Sequence, residues 1–223
     1  MTPPPEFVDL SHVIEDGMIT FPGLPGPIIC DYLSREASRG RYAPGVEFQI
    51  GKIEMVANTG TYLDSPFHRY ADGKDLAQLP LDSLADLDAI VVRVPHAGTL
   101  AVTRRAFEGL KPKGKAVLVQ TGWDVHWGTA RYLSGNPFLT ADAAQYLVDQ
   151  GAALVGIDSL NIDDMGDSAR PVHSTLLGAE VPIVEHMCNL AKLPDRGFRF
   201  FAVPAKVAGM GTWPVRAFGV LSD

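Results

Sequence analysis

The chain has 223 residues, 46% of them hydrophobic and 20% charged, and its 19 basic and 26 acidic side chains leave a formal charge of −7. That length and apolar share suit one globular domain spanning residues 1–223, with a packed core, and exclude a disordered chain. A negative balance without any Lys/Arg-rich run excludes nucleic acid and anionic membrane as partners, and a small molecule is expected instead.

The first segment, MTPPPEFVDLSH, lacks the basic and apolar blocks of a signal peptide, and no apolar run approaches the ~20 residues of a membrane helix, so a cytoplasmic location is expected. Residues 7–10 (FVDL) read as a first strand. Residues 19–27 (ITFPGLPGP), with prolines at 22, 25 and 27, cannot be regular structure, and with Phe21 among them they read either as an apolar loop walling a site or as a packed surface turn. Residues 48–56 alternate as a half-buried strand does. Residues 89–95 and 116–120 are β-branched runs without polar alternation, hence strands covered on both faces, and 154–157 and 200–204 look similar. Thr103 caps a predicted helix over 104–110 that stops at Lys111-Pro112, and Thr140 caps a second over 141–150 that stops at Gly151. Strand–helix alternation with parallel-type strands predicts α/β, with an added antiparallel, barrel-like portion in the Pro/Gly-rich N-terminal third. Cys30 and Cys188 are too few for a disulfide framework and read as free thiols.

Chemistry-bearing residues gather in two places. After the strand ending near Val56, the chain reads Asn58-Thr-Gly60-Thr61-Tyr62-Leu-Asp64-Ser-Pro66-Phe-His68. In an extended segment this spacing puts Asp64 and His68 on one face, where a carboxylate and an imidazole serve either metal ligation or general base catalysis. A loop tied by side-chain hydrogen bonds is the bland alternative. Downstream, Gly156-Ile-Asp158-Ser159 leaves a strand at the carboxyl end where α/β sheets bind ligands, and His173, Glu185 and His186 follow. The acidic trio Asp163, Asp164 and Asp167 lacks calcium-loop spacing and reads as solvated. His12, His96, His126 and His186 read as structural or exposed, His186 pointing away from Glu185 in any regular structure.

These residues resemble the cyclase, or kynurenine formamidase-like, superfamily of metal-dependent hydrolases, whose signature is His-x-Gly-Thr-His-x-Asp-x-Pro-x-His. The similarity extends from Asp9-Leu10-Ser11 and Phe21-Pro22-Gly23 through Thr121-Gly122-Trp123 to His173, Glu185, Asn189-Leu190 and the closing Pro214-Val215-Arg216-Ala217. It implies a mixed sheet of the swivelling β/β/α type, a homodimer or homotetramer, and hydrolysis of a small cyclic or aryl amide, lactam or lactone. It also implies metal ligation by Asp64, His173 and Glu185, and proton transfer by His68. The first two signature imidazoles are Asn58 and Tyr62 here, and an amide oxygen or neutral phenol is a poor zinc donor. The remaining set, Asp64, His173 and Glu185 with the Asn58 oxygen, holds one divalent ion (Mn, Zn or Fe) or none. Tyr62 is a candidate oxyanion donor in place of an ion or a filler of its space, and Phe21, Phe67 and Trp123 are candidate substrate contacts. Two further readings stay open: a metal-independent cyclase, dehydratase or isomerase, and a non-catalytic small-molecule binder.

Overall fold

The computed structural model describes residues 4–94 and 99–221. The first half of the chain supplies β1 (Glu6–Asp9), β2 (Ile28–Leu33), α1 (Arg35–Ser38), β3 (Ile50–Glu54), β4 (Tyr62–Asp64), β5 (Leu87–Arg93) and β6 (Ala101–Val102). The second half supplies β7 (Ala116–Gln120), β8 (Phe138–Leu139), α2 (Ala141–Asp149), β9 (Leu154–Ile157), α3 (Pro171–Gly178), β10 (Ile183–Glu185), β11 (Arg196–Phe201), β12 (Thr212–Pro214) and β13 (Phe218–Leu221). Nine strands form one mixed sheet in the order β1-β13-β11-β5-β7-β9-β10-β4-β12. The four central strands, β5, β7, β9 and β10, run parallel, and every outer pairing is antiparallel. The expected α/β class with a mixed sheet is what the chain adopts.

The β-branched centre explains the packing. In β7, Leu118 faces one apolar cluster with Leu154, Val184 and Phe200, while Val117 and Val119 face a second with Ile157, Leu147 of α2 and Leu176 of α3. Alternate residues thus enter cores on opposite faces, as a strand covered on both sides requires. The sheet also curls. Beyond β1, Leu10 receives the Cys188 N–H at 3.0 Å, and Ser11 bridges Met187 just past β10.

Several sequence expectations need correction. The helix expected over 104–110 is a single 3₁₀ turn, Arg104–Ala106, followed by Gly109 at φ +82°. Seven residues between Thr103 and Lys111-Pro112 offer too few helical bonds to offset nucleation. At α2 the Thr140 hydroxyl donates to Asp142 and Val102 instead of accepting from the helix N-terminus. The strand placed at 48–56 is β3, exposed along its whole length, and it pairs only with β2 in a separate two-stranded arm. Among the described residues this arm pairs with no other strand, and the curl lies in the nine-stranded sheet instead. The strand at 200–204 is the end of β11, which stops at Phe201. Pro95, His96 and the first three residues lie outside the described residues. Cys30 is exposed and Cys188 buried, both as free thiols. Among the described residues no helix is long and apolar enough to cross a membrane.

Candidate functional site

Sheet register assembles the site. β4 is short and lies between two antiparallel neighbours, so its residues are matched across both. Tyr62 stands opposite Glu185 of β10, and Asp64 stands opposite Thr212 of β12. Directly paired residues share a face, and positions 62 and 64 are two apart, so all four side chains project to one side. Behind Asp64 the chain does not stay extended. Pro66 opens a 3₁₀ turn, Pro66–His68, that brings His68 back over the carboxylate, with Nδ1 at 3.6 Å from Asp64 Oδ1. The turn is held by Ser65 N–H donating to Gly211 at 2.7 Å, and a Cβ on Gly211 would collide with the backbone of His68. His173 enters from the first turn of α3, its Nε2 at 3.7 Å from Asp64 Oδ2 and 3.8 Å from Glu185 Oε1. These are ion-pair distances, too long for hydrogen bonds.

Each side chain is oriented by a partner. Thr212 gives its one hydroxyl proton to Asp64 Oδ1, so it accepts from His68 Nδ1–H at 2.9 Å, which leaves His68 Nε2 with its lone pair. Asp163 accepts the Val172 and His173 backbone N–H groups and lies 2.6 Å from His173 Nδ1, so that imidazole presents Nε2 to the cavity. Tyr62 donates to Glu185 Oε2 at 2.8 Å, and Ile162 N–H donates to Oε1 at 2.6 Å. The Tyr62 oxygen in turn lies 3.2 Å from His186 Nε2, and His186 Nδ1 lies 2.9 Å from the Tyr132 hydroxyl. A neutral His186 protonated on Nε2 satisfies both phenols.

Charge here is unbalanced. Asp64, Asp163 and Glu185 are buried around one imidazole. Burial works against a charged His173, but the contacts with Asp163 and Asp64 and the charge of Glu185 outweigh it and raise the group to about 10. Burial likewise works against ionised Asp64, but His173, His68 and Thr212 together hold it below the usual carboxylate range. Glu185 is pushed up to about 7, chiefly by burial. Burial, then Glu185 and Asp64, push Tyr62 well above its ordinary value, so it stays a neutral donor. Burial drives His186 down to about 3. Asp64 Oδ2 is buried with no hydrogen-bond partner among the described residues. An oxygen without a donor, beside a His173 Nε2 that makes no hydrogen bond, fits a cation, which would take the place of the Nε2 proton. Asp64, His68 and His173 offer ligand atoms within 4.8 Å of one another.

The residues open onto a cavity of about 480 Å³, walled by Phe21, Pro22, Gly23 and Leu24 of the Pro-rich loop and by Asn58, Tyr62, His68 and His173. Against the larger effects of burial and the carboxylates, Asn58 lowers the pKa of the Tyr62 hydroxyl. Phe67 is half-buried and not a wall of the cavity. Trp123 is also not among its walls: it packs against Tyr132 and Leu160, its indole N–H on the Tyr132 carbonyl at 3.1 Å.

Sequence reasoning missed three residues. Asp163 is not solvated, because it caps α3 and orients His173. His186 does not point away, because its φ of +56° breaks strand alternation and turns it toward Tyr62. Thr212, near the end of the chain, carried no signal beyond its place between Gly211 and Trp213.

Comparison with known proteins follows the same lines. The Cyclase family model matches residues 8–164. The kynurenine formamidase of Bacillus cereus is 26% identical over 213 residues, 95% of this chain and 96% of that one. The isatin hydrolase A from Labrenzia aggregata superposes with a TM-score of 0.84 at 20% identity, covering 98% of this chain and 94% of that one. A potential metal-dependent hydrolase with cyclase activity superposes with a TM-score of 0.79 at 24% identity, covering 99% and 100%. With more than half of its length matched by the family model, the chain belongs to the Cyclase family.

Proposed function

We propose that the chain is a hydrolase that opens the C–N or C–O bond of a small aryl or cyclic amide, lactam or lactone. One observation carries this reading: three buried carboxylates surround the imidazole of His173, and Asp64 Oδ2 has no donor. Asp64, His173 and Glu185 would hold one divalent ion, with Asn58 beside them, and such an ion polarises a carbonyl and lowers the pKa of bound water. The kynurenine formamidase and isatin hydrolase relatives support the substrate class.

The chain's own residues do the rest. His68, with Nδ1–H committed to Thr212, takes a proton from water on Nε2 and returns it to the leaving amine or alkoxide. Thr212 passes the orientation of Asp64 on to this imidazole. Tyr62, a neutral phenol beside the cavity, would turn its one proton from Glu185 Oε2 to the oxyanion that develops on the carbonyl, and Phe21 and Leu24 cover the substrate against water. We include in the proposal a small-molecule substrate, a cytoplasmic location and a homodimer or homotetramer.

The test is metal content by plasma mass spectrometry on untagged protein, joined to a panel of aryl formamides, lactams and lactones. About one ion per chain, lost in Asp64→Ala and His173→Ala together with turnover, is the expected result. Glu185, pushed up to about 7, favours one second reading, acid–base catalysis with Glu185 as the base and no ion. Turnover that survives exhaustive chelation would select that reading, whereas metal-free protein inert toward the whole panel would sink both.

A further inference from the structure

Two arginines stand at the cavity beside the imidazoles. Arg69 directly follows His68 at the end of the 3₁₀ turn, and Arg170 immediately precedes α3, three residues before His173. Both line the same cavity. Elsewhere, Arg93, Arg199 and Arg216 are ion-paired with aspartates. Among the described residues no carboxylate lies within ion-pair distance of Arg69 or Arg170. Arg69 donates from Nε to Ser174 Oγ at 3.1 Å, a bond that uses the side of its guanidinium and leaves the two terminal nitrogens without a hydrogen bond among the described residues. Arg170 donates from Nη1 to Asn161 Oδ1 at 2.8 Å, and Nη2 has only the Met165 sulfur at 3.7 Å. Ser174 ties the pair together, since its hydroxyl donates to the Arg170 carbonyl at 2.9 Å while accepting from Arg69.

We propose that Arg69 and Arg170 form a carboxylate subsite, so that the preferred substrate is an aryl amide or lactam bearing an acidic group away from its scissile bond. The inference rests on the hydrolase reading and narrows its substrate. Guanidinium forks match a carboxylate bidentately, and at the rim, with Arg69 exposed and Arg170 half-buried, a ligand can displace water. Arg170 holds φ +50° and ψ +57°, a left-handed conformation that non-glycine residues adopt at a cost of about 1 kcal/mol or more. Such strain persists where surrounding structure requires the side chain to be held in place. Orientation follows from charge. The two cations at the rim attract an anionic group, so the acid points outward and the amide inward toward His68. Phe21 and Leu24 flank the space between, and about 480 Å³ admits a substituted single ring.

The probes are 3- and 4-formamidobenzoate and their methyl esters, read as the ratio of kcat/KM for acid over ester, which cancels any loss common to both. The wild type is expected to favour the acid by at least about tenfold, the ratio falling with added salt. Arg69→Gln and Arg170→Gln should each lower that ratio about tenfold, and Arg69→Lys and Arg170→Lys should restore part of it. A ratio near one in the wild type, or one retained in the double Gln variant, overturns the subsite. If no amide or lactam is turned over at all, the hydrolase reading fails separately. Equilibrium binding of 3- and 4-aminobenzoate against their methyl esters then decides. Tighter binding of the acids that disappears in the double Gln variant sustains the subsite, and equal binding overturns it.

Discussion

Tyr62 occupies the position of a signature imidazole, and its hydroxyl joins two buried atoms, Glu185 Oε2 and His186 Nε2. Tyr62→Phe leaves Glu185 Oε2 and His186 Nε2 unsatisfied, and is expected to destabilise the chain by about 2 kcal/mol in urea unfolding while lowering kcat at least tenfold. Tyr62→His returns a nitrogen donor to the site and should tighten zinc binding at least tenfold in a chelator competition. His186 gives a pH signature. In the folded chain burial keeps it neutral down to about pH 3, whereas the unfolded chain protonates near pH 6.5. Its contribution is therefore fully present above pH 6.5 and declines as pH falls, by about 1.4 kcal/mol per unit, or about 2 kcal/mol between pH 6.5 and 5. His186→Gln, whose amide can still bond both phenols, should flatten that part of the stability profile, and an unchanged slope would falsify the assignment. Asp64 and His68 were legible in the sequence because a spaced motif carries them, and His173 and Glu185 through the family resemblance alone. Asp163 and His186 were not, because a helix cap and a positive φ decide where they point, and neither leaves a periodic trace.

At the scale of elements, the apolar β-branched runs of β7 and β9 could be read directly, since a strand buried on both faces needs no polar alternation. The β2–β3 arm defeated the same logic: its alternation suggested a half-buried strand, yet every β3 residue is exposed. The 3₁₀ turn that carries His68 was equally hidden, because Pro66 and a contact with residue 211, far along the chain, set its path. Gly211→Ala places a methyl group against the His68 backbone and must shift the turn. The expected outcome is a loss of about 3 kcal/mol or more in stability, with activity falling further than stability alone accounts for. Denaturant titration alongside turnover under fully folding conditions checks both.

Across the whole molecule, the arm leaves Ile28, Ile29, Tyr32, Ile50 and Ile53 exposed, with Ile29 directly opposite Ile53. A dimer or tetramer that covers these residues should dissociate in Ile29→Asp/Ile53→Asp, and light scattering at a series of concentrations reads the outcome. Such coverage escapes sequence periodicity, which reports only the burial pattern within a chain. Gathering the site from both ends of the chain has a further consequence, in the order of synthesis. Asp64 and His68 emerge long before Thr212, Gly211 and the β12 strand that align them. The parallel centre, β5, β7, β9 and β10, is complete by Glu185. A nascent chain can therefore build its core while Asp64 still lacks the hydroxyl that accepts from His68. Arrested chains ending before residue 209 should resist protease across the parallel strands and show no turnover, so that competence waits for the β12 strand.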